Sequence, residues 1–368
     1  MKICHITSVH KLNDIRIFLK ECKSLAKKYD VYLLGNDINY KSDIKDVKII
    51  NLNIKIKNRV DRFITLKKKI YERALEIDAD IYHLHDPELL TTAYKLKKMG
   101  KKVIFDFHED TPKQILAKQY LPKLIRTPLS RIYSLLENYY SSKLDAIVTA
   151  TPYLKSKFIK INRNTIDVNN FPILSEFLSI KIDNEVKIND LIYIGGLSEE
   201  RGLFKLIEIG NLNPELKIVI CGHFISKVYE KEVKKLIKYN NIEFKGVLDR
   251  KGIQKELEEA KIGIVLLDKN ERYSESLPIK MFEYMAAGLP VIASDFKLWE
   301  KILLNSNSGF CVNPNNSKVI LEKISILLSE DELRLNMGKN GREIVQKEYN
   351  WDNEEEKLLN LYKKLEEI

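Results

Sequence analysis

The stretch that most constrains the fold is residues 273–295, YSESLPIKMFEYMAAGLPVIASD, in which a loop leads into a short helix and then into a buried strand. Pro278 suits the first turn of a helix, where its missing N–H costs nothing, and Gly288 is typical of a helix end. These residues predict a helix over 277–287. The apolar run that follows, 289–293, predicts an interior strand of a parallel sheet, as in α/β proteins.

The start of this helix predicts an anion site. Free N–H groups and the positive end of the helix dipole point at whatever lies beside residues 274–277. Glu275 and Glu283 flank Lys280. Carboxylates accept hydroxyl hydrogen bonds and a lysine neutralises phosphate, so the set suits a polyhydroxylated, phosphorylated ligand. The alternative is an i, i+3 ion pair of Lys280 with Glu283 on a solvated face.

Strands and helices alternate along both halves of the chain, which predicts two doubly wound α/β domains. The 368 residues are enough for two cores. In the first half we predict strands at 2–7, 31–34, 80–84, 102–105 and 145–149, with helices at 15–28, 60–77 and 87–99. In the second half we predict strands near 191 and at 216–221, 242–244, 261–266 and 309–312.

The domain boundary is predicted from a stretch without periodicity, residues 169–189, which contains Pro172. We expect a first domain over 1–172, to which a C-terminal helix over 351–368 returns. The second domain is expected over 186–350.

Two turns after predicted strands differ in their glycines. The turn after the first strand lacks G-x-G-x-x-G, so the dinucleotide fingerprint of a dehydrogenase is absent there. The turn at 195–203 reads GGLSEERGL. Gly195 and Gly196 let backbone N–H groups approach a phosphate, and Arg201 can pair with it through two hydrogen bonds.

Histidines follow three predicted strands of the first half, namely His10, His85 and His108, the last beside Glu109. Because the carboxyl ends of parallel strands collect ligands, they predict a polar pocket, although a single strand-end histidine is usually structural. His83 and His85 alternate on one strand, so a metal site is conceivable, but the sequence offers no evident third ligand.

The net charge of +10 lies in the first half, where residues 1–180 hold 33 Lys and Arg against 20 Asp and Glu. Such a surplus indicates anionic partners, or a lysine-rich composition without functional meaning. The basic stretch 112–140 mixes lysine and arginine with apolar residues. It can lie on an anionic membrane, or form two core-packed helices interrupted at Pro122 and Pro128.

No apolar run is long enough to span a membrane, and the start reads as a strand rather than a signal peptide, so we expect a cytosolic protein. The four cysteines are scattered without a C-x-x-C pair, which indicates neither a disulfide frame nor a zinc site.

The helix stretch resembles the signature of the retaining glycosyltransferases of family four, which have the GT-B fold: Glu275, seven residues, Glu283 and then YMAAGLPV. The resemblance implies two facing Rossmann-like domains with a cleft between them and a C-terminal crossover helix. It implies that Glu275 contacts the hydroxyls of the donor sugar and that Glu283 holds the ribose. The diphosphate would be bound around Ser276, Leu277, Pro278, Ile279 and Lys280.

Further motifs extend the resemblance over nearly the whole chain. HDPELL and DFHEDTP look like first-domain motifs of the family, whose histidine at the His108 position contacts the donor sugar. NDIRIFLKE, with Asp14 and Arg16, looks like a subgroup's substitute for a Gly-rich loop. The implied acceptor side comprises His10, Asp14, Arg16, His85 and Glu109.

In the second domain, Arg201 takes the position of the family's lysine, and Gly196 replaces its usual arginine. Gly195, Gly196 and Gly222 would lie against the donor, and Val247 would meet the nucleobase. Arg201 and Lys280 would stabilise the leaving diphosphate.

The function implied is a retaining hexosyl- or N-acetylhexosaminyltransferase of bacterial surface polysaccharide assembly. The donor would be a UDP- or GDP-linked sugar, and the acceptor a saccharide or a lipid-diphosphate-linked saccharide, at an anionic membrane surface and without nucleic acid. No metal or other cofactor is expected. Two alternatives are a sugar-nucleotide epimerase of the same fold and a non-catalytic, basic nucleic-acid-binding protein.

Overall fold

The computed structural model of the protein describes residues 1–40, 46–118, 121–183 and 187–367. Two compact units divide the chain: Met1–Asn170 with Glu354–Ile368 form the first, and Phe171–Asn353 form the second. Residue 186, where the second domain was expected to begin, lies outside the described residues.

The first unit is built on a parallel sheet of seven strands in the order β3-β2-β1-β4-β5-β6-β7. Its strands are β1 Lys2–Ile6, β2 Asp30–Gly35, β3 Lys48–Asn51, β4 Ile81–Leu84, β5 Lys102–Phe107, β6 Ala146–Thr149 and β7 Thr165–Asp167. Its longer helical segments are Ile15–Cys22, Lys67–Ile77, Leu90–Lys98, Thr111–Ala117, Lys123–Ser141 and Pro152–Phe158, and shorter ones are Lys23–Ala26, Arg59–Asp61, Arg62–Leu66 and Pro87–Leu89.

The second unit holds a parallel sheet of six strands in the order β10-β9-β8-β11-β12-β13. Its strands are β8 Asn189–Ile194, β9 Ile218–Cys221, β10 Ile242–Gly246, β11 Ala260–Val265, β12 Val291–Ser294 and β13 Gly309–Val312. Its helices are Leu203–Leu212, Lys227–Lys235, Arg250–Glu259, Glu271–Ser274, Ile279–Ala286, Lys297–Asn305, Ser317–Ser329 and Asp331–Lys347, with short turns at Leu174–Glu176 and Glu199–Arg201. A further helix, Trp351–Glu366, belongs to the first unit from Glu354 onwards.

The predicted α/β class with two Rossmann-like parallel sheets is confirmed. The stretch predicted as a linker is wrong in part, because Phe171, Phe177 and Ile180 are buried in the core of the second unit. The apolar side chains of this segment pack into the core although they show no helix or strand periodicity, so the segment is not an exposed linker.

The basic stretch 112–140 forms two helices, Thr111–Ala117 and Lys123–Ser141. Pro122 precedes the second helix, but Pro128 lies inside it, so the predicted interruption at Pro128 is wrong. Tyr120, which belongs to this stretch, lies outside the described residues. Among the helices described, none combines the length and the apolar character that a membrane span needs.

The signature helix Ile279–Ala286 begins two residues later than predicted, and every residue from Lys280 to Ala286 is buried. Gly263 on β11 makes this possible, because a Cβ there would lie 2.3 Å from the ring of Tyr284. Gly341 on the helix Asp331–Lys347 packs against the next residue, since a Cβ there would meet Met285 at 3.4 Å. The helix is therefore held rigidly within the core.

Candidate functional site

The turn after β8 in the second unit is built from closely packed backbone. The N–H of Gly195 donates to the carbonyl of Cys221 at 2.9 Å, and that of Gly222 donates to the carbonyl of Gly246 at 2.7 Å. A Cβ on Gly222 would lie 1.8 Å from the carbonyl oxygen of Gly195, so only glycine fits there. The ends of β8, β9 and β10 thus meet at a surface made of bare backbone.

Two cationic side chains lie against this turn. The ammonium nitrogen of Lys280 lies 2.9 Å from where a Cβ of Gly195 would stand, and 3.7 Å from the centre of the Tyr193 ring. The guanidinium of Arg201 comes within 4.0 Å of the corresponding position on Gly196. The structure therefore brings Gly195, Gly196, Arg201 and Lys280 together. The prediction that the Gly195 N–H approaches a phosphate is wrong, because this N–H donates to the carbonyl of Cys221.

The Lys280 side chain is buried, and its nitrogen has no hydrogen-bond partner within the described parts of the chain. Burial lowers the pKa of Lys280 well below its usual range, Arg201 lowers it further, and Glu283 acts in the opposite direction. The Tyr193 ring offers the ammonium a cation–π contact but no hydrogen bond, so a buried ammonium beside a second cation at this turn favours binding of an anion.

The start of the signature helix adds backbone donors. Pro278 precedes the helix without capping it, so the first N–H groups of the helix, those of Ile279 and Lys280, lack intrahelical acceptors. Ser276 differs from the prediction, because its amide and hydroxyl both donate to the carbonyl of Tyr273, at 3.0 and 2.8 Å. Since these donors are engaged within the loop, the prediction that Ser276 binds the donor is corrected to a structural role.

Glu283 is buried and accepts a hydrogen bond from Arg250 Nη1 at 2.8 Å. Arg250 also pairs with Glu176, so it joins two carboxylates. The alternative of a Lys280–Glu283 pair on a solvated face is wrong, since both side chains are buried. Arg250 was not predicted, because it lies 33 positions from Glu283 in the chain.

The remaining donor-side residues lie on loops. Glu275 is exposed before the signature helix, and Leu277 is half-buried. Val247 follows β10 and is 74% exposed. Leu277 packs against the core of the second unit. The roles of these three residues at the donor stay predictions.

In the first unit two of the strand-end histidines, His85 and His108, contact a buried carboxylate, Asp106, on β5. Arg16 donates three hydrogen bonds of 2.9–3.0 Å to this carboxylate and a fourth, of 2.7 Å, to the carbonyl of Val168. Arg16 is only 5% exposed. The prediction that Arg16 contacts the acceptor is therefore wrong, because its guanidinium donates its hydrogen bonds to Asp106 and Val168 inside the unit.

His85 and His108 also contact Asp106, through Nδ1 at 3.4 Å and Nε2 at 3.0 Å. Burial alone would raise the pKa of Asp106, but Arg16 and His108 hold it well below its usual value. Burial lowers the pKa of His85 to about 4, so its imidazole is neutral near pH 7. His85 is buried and cannot meet an acceptor directly, whereas His108 keeps 19% of its side chain exposed.

The turn after β1 is organised by Asp86 of the HDPELL motif. Asp86 accepts hydrogen bonds from the Thr7 hydroxyl at 2.7 Å and the Ser8 amide at 2.6 Å, and it contacts His10 Nδ1 at 2.9 Å. Burial tends to lower the pKa of His10, but the bond to Asp86 outweighs it and raises the pKa. His10 borders a pocket of about 240 Å³ that Asn36, Asp37 and Ile54 also line.

The other predicted acceptor-side residues take different positions. Asp14 caps the helix Ile15–Cys22 by accepting from the amides of Arg16 and Ile17 at 2.8 and 2.9 Å, which is a structural role. Glu109 is exposed beyond β5.

Sequence reasoning missed three buried residues near His85: His5 on β1, Glu21 on the helix Ile15–Cys22, and Asp106 on β5. His5 and Glu21 are wholly buried. His5 lies next to His83 of β4 in the register of the sheet. A prediction of this register, in which both histidines point to the same face, could have identified His5. The sequence around Glu21 does not distinguish it, because the helix Ile15–Cys22 also buries the charged side chains of Arg16 and Lys20.

Comparisons with known proteins found one matching family in each unit. The family described as Glycosyltransferase Family 4 matches residues 17–168, and that described as Glycosyl transferases group 1 matches residues 176–344. An uncharacterised glycosyltransferase of Methanocaldococcus jannaschii is 25% identical over 215 residues, 58% of each chain. The chain thus spans little more than half the length of that relative.

Solved structures share the fold at low identity. Sucrose-phosphate synthase from Thermosynechococcus elongatus superposes with a TM-score of 0.77 at 16% identity, over 99% of this chain and 98% of its own. Anabaena HepE, solved in complex with UDP-glucose, gives 0.73 at 14% identity, over 99% and 100%. The chain therefore carries a segment that matches the Family 4 glycosyltransferases, followed by a segment that matches the group 1 glycosyl transferases, and its two Rossmann-like units have the fold of the GT-B structures.

Proposed function

We propose that this protein is a retaining glycosyltransferase that moves a hexosyl or N-acetylhexosaminyl group from a nucleoside-diphosphate sugar to a saccharide of a growing surface polysaccharide. The observation that carries the proposal is the buried ammonium of Lys280, which lies over the Tyr193 ring beside Arg201 at the Gly195–Gly196 turn and has no hydrogen-bond partner among the described residues. A nucleotide sugar as donor is supported by the UDP-glucose in the Anabaena structure.

The donor binds to the second unit through its diphosphate and its ribose. The diphosphate takes the place opposite Gly195 and Gly196, where Lys280, Arg201 and the first amides of the signature helix supply positive charge. Glu283, oriented by Arg250, accepts from the ribose hydroxyls. Gly222 and Val247 lie towards the base, and Glu275 towards the donor sugar.

The chemistry follows from the charge that develops on the leaving group. As the bond between the anomeric carbon and the diphosphate oxygen breaks, negative charge grows on the diphosphate, and fixed cations stabilise it without reorganisation. The acceptor hydroxyl forms the new bond on the same face, and its proton passes to the departing diphosphate. The transfer needs no metal ion, because Lys280 and Arg201 supply the charge. His108 stays a predicted contact of the donor sugar.

For the acceptor we propose the pocket beside His10 in the first unit, with Glu109 as a further contact. His10 carries a raised pKa through Asp86, so it can donate to acceptor hydroxyl or phosphate oxygens. Arg16, Asp14 and His85 position this region from within rather than touching the acceptor.

We further propose that the helix Lys123–Ser141 holds the protein on an anionic membrane at the cytosolic face, where a lipid-linked acceptor is reached. This helix exposes large apolar side chains, with Leu124 at 91% and Leu135 at 70%. Lys123 and Arg131 are exposed on the same helix. Apolar residues that enter the headgroup region, flanked by cations, are the pattern of interfacial helices.

Replacing Lys280 should weaken diphosphate binding specifically. Lys280→Met keeps the length of the side chain and removes its charge. Because hydrogen bonds to charged groups contribute roughly 1.5–3 kcal/mol, the affinity for UDP or GDP should fall about 10- to 150-fold, while the affinity for the bare nucleoside stays the same. Calorimetry measures both. Lys301→Met, on an exposed helix position of the same unit, is the control, and equal diphosphate affinities of the two variants would remove Lys280 from the site.

Replacing Glu283 should abolish discrimination between ribose and deoxyribose. The wild-type protein should bind the ribonucleoside diphosphate about 10-fold more tightly than its 2′-deoxy analogue, since a charge-assisted hydrogen bond is lost. Glu283→Ala, which leaves no acceptor at this position, should bind the two alike. Glu176→Ala removes the other partner of Arg250 and should keep the preference. A preference that survives in Glu283→Ala would contradict the ribose contact.

Membrane attachment should depend on the exposed face of Lys123–Ser141. Sedimentation with phosphatidylglycerol vesicles should show binding that weakens with salt, because each basic residue near an anionic surface contributes about 1 kcal/mol. The variant Leu124→Ser with Lys123→Gln and Arg131→Gln should stay in solution. Val228→Ser, which changes an exposed apolar residue of the second unit, should bind like the wild type. Binding by the triple variant equal to that of the wild type would assign the face to another role.

A further inference from the structure

The interior of the first unit contains four side chains that can ligate a metal ion: His5, Glu21, His83 and His85. All four are buried, and one ligand atom from each lies within 4.8 Å of the other three. They come from β1, from β4 and the residue just after it, and from the helix Ile15–Cys22, whose π-helical turn is a geometry frequent at functional sites. We propose that this cluster, which we call the His3Glu cluster, is a closed structural site for a zinc-type divalent cation.

The distances within the His3Glu cluster suit four-coordinate binding. His5 Nδ1 lies 2.9 Å from His85 Nε2, and Glu21 Oε2 lies 3.8 Å from the first and 3.9 Å from the second. In a tetrahedral site with bonds of 2.0–2.2 Å, neighbouring ligand atoms are about 3.3–3.6 Å apart. Small side-chain shifts therefore convert the cluster into a zinc site, with Nε2 of His83 as the fourth ligand.

The outward ring nitrogens of the three histidines already face acceptors. His5 Nε2 lies 3.2 Å and His83 Nδ1 2.8 Å from the hydroxyl oxygen of Tyr362, on the C-terminal helix. His85 Nδ1 lies 3.4 Å from Asp106 Oδ2. Metal-binding histidines characteristically donate their second N–H to such a partner, which fixes the tautomer. All three rings can therefore present a lone pair to one point.

Hydrogen bonds alone leave part of the cluster unsatisfied. They can run in one chain from His83 through Tyr362, His5 and His85 to Asp106. His83 Nε2 and both oxygens of Glu21 then have no hydrogen-bond partner in the described segments. Arg16 Nε does lie 3.2 Å from Glu21 Oε1, as an ion pair without hydrogen-bond geometry. A cation at the centre gives His83 Nε2 and Glu21 Oε2 the partner they lack.

The carboxyl groups of this region can accommodate a cation. Arg16 offsets the charge of Asp106, and Glu21 would bind the metal as a carboxylate, releasing any proton that it holds. A second group, His85, Asp106 and His108, is a weaker candidate because Arg16 already saturates Asp106. Four protein ligands leave no open position, so the proposed site is structural, and the transfer reaction at the second unit does not use it.

The test is the zinc content of untagged, full-length protein refolded with zinc, because the site is closed to solvent. After dialysis against a chelator, elemental analysis should find about one zinc per chain in the wild type. Glu21→Gln and His83→Gln should retain at least about 10-fold less, and Tyr362→Phe should bind zinc about 10- to 100-fold more weakly. His223→Gln, an exposed histidine of the second unit, should retain zinc like the wild type.

Circular dichroism of each refolded variant establishes that the fold has formed, and cobalt in place of zinc should give the intense visible absorption of four-coordinate Co²⁺. The wild-type result decides the proposal without any variant. If the wild type holds no more zinc than Glu21→Gln, or if its cobalt form lacks that absorption, the His3Glu cluster is a hydrogen-bonded chain only.

Discussion

The proposed function depends on one interaction, the placement of a buried ammonium against bare backbone. Lys280 is enclosed because its helix is packed on all sides, and its nitrogen reaches the Gly195 turn because that position carries no side chain. A charge in such a place is costly unless an anion compensates it. A bound diphosphate compensates the buried charge, so the interaction contributes to affinity. The same charge then stabilises the diphosphate as it leaves.

The two units use buried charge in different ways. In the second unit the cations Lys280 and Arg201 face a surface made of glycine, which leaves room for a ligand. In the first unit Arg16 is already matched by Asp106, so its charge serves the packing of the strand ends. The family resemblance assigned ligand-binding roles to Lys280, Arg201 and Arg16 alike. The contacts in the structure show that Arg16 is paired inside its unit, whereas Lys280 and Arg201 face the glycine turn.

Much of the fold could be predicted from the sequence because its strands are buried apolar runs separated by amphipathic helices. The short edge strands Lys48–Asn51 and Thr165–Asp167 were missed, since half-buried edge positions carry little apolar signal. On the site, Pro278 and Gly288 delimited the signature helix to within two residues. Arg250, His5 and Glu21 escaped because their contacts join positions far apart in the chain, which periodicity cannot show.

The central claim is that Lys280 meets the donor diphosphate, and proton uptake on binding tests it most directly. In the free protein burial lowers the pKa of Lys280, and a diphosphate beside the ammonium must raise it again, so binding should take up protons. Calorimetry of UDP or GDP binding at alkaline pH, in buffers of different ionisation enthalpy, measures this uptake. We predict net uptake in the wild type, lost in Lys280→Met, and affinity that falls as the pH rises. The same proton uptake in both proteins, or none in the wild type at any pH where the nucleotide binds, would contradict the account.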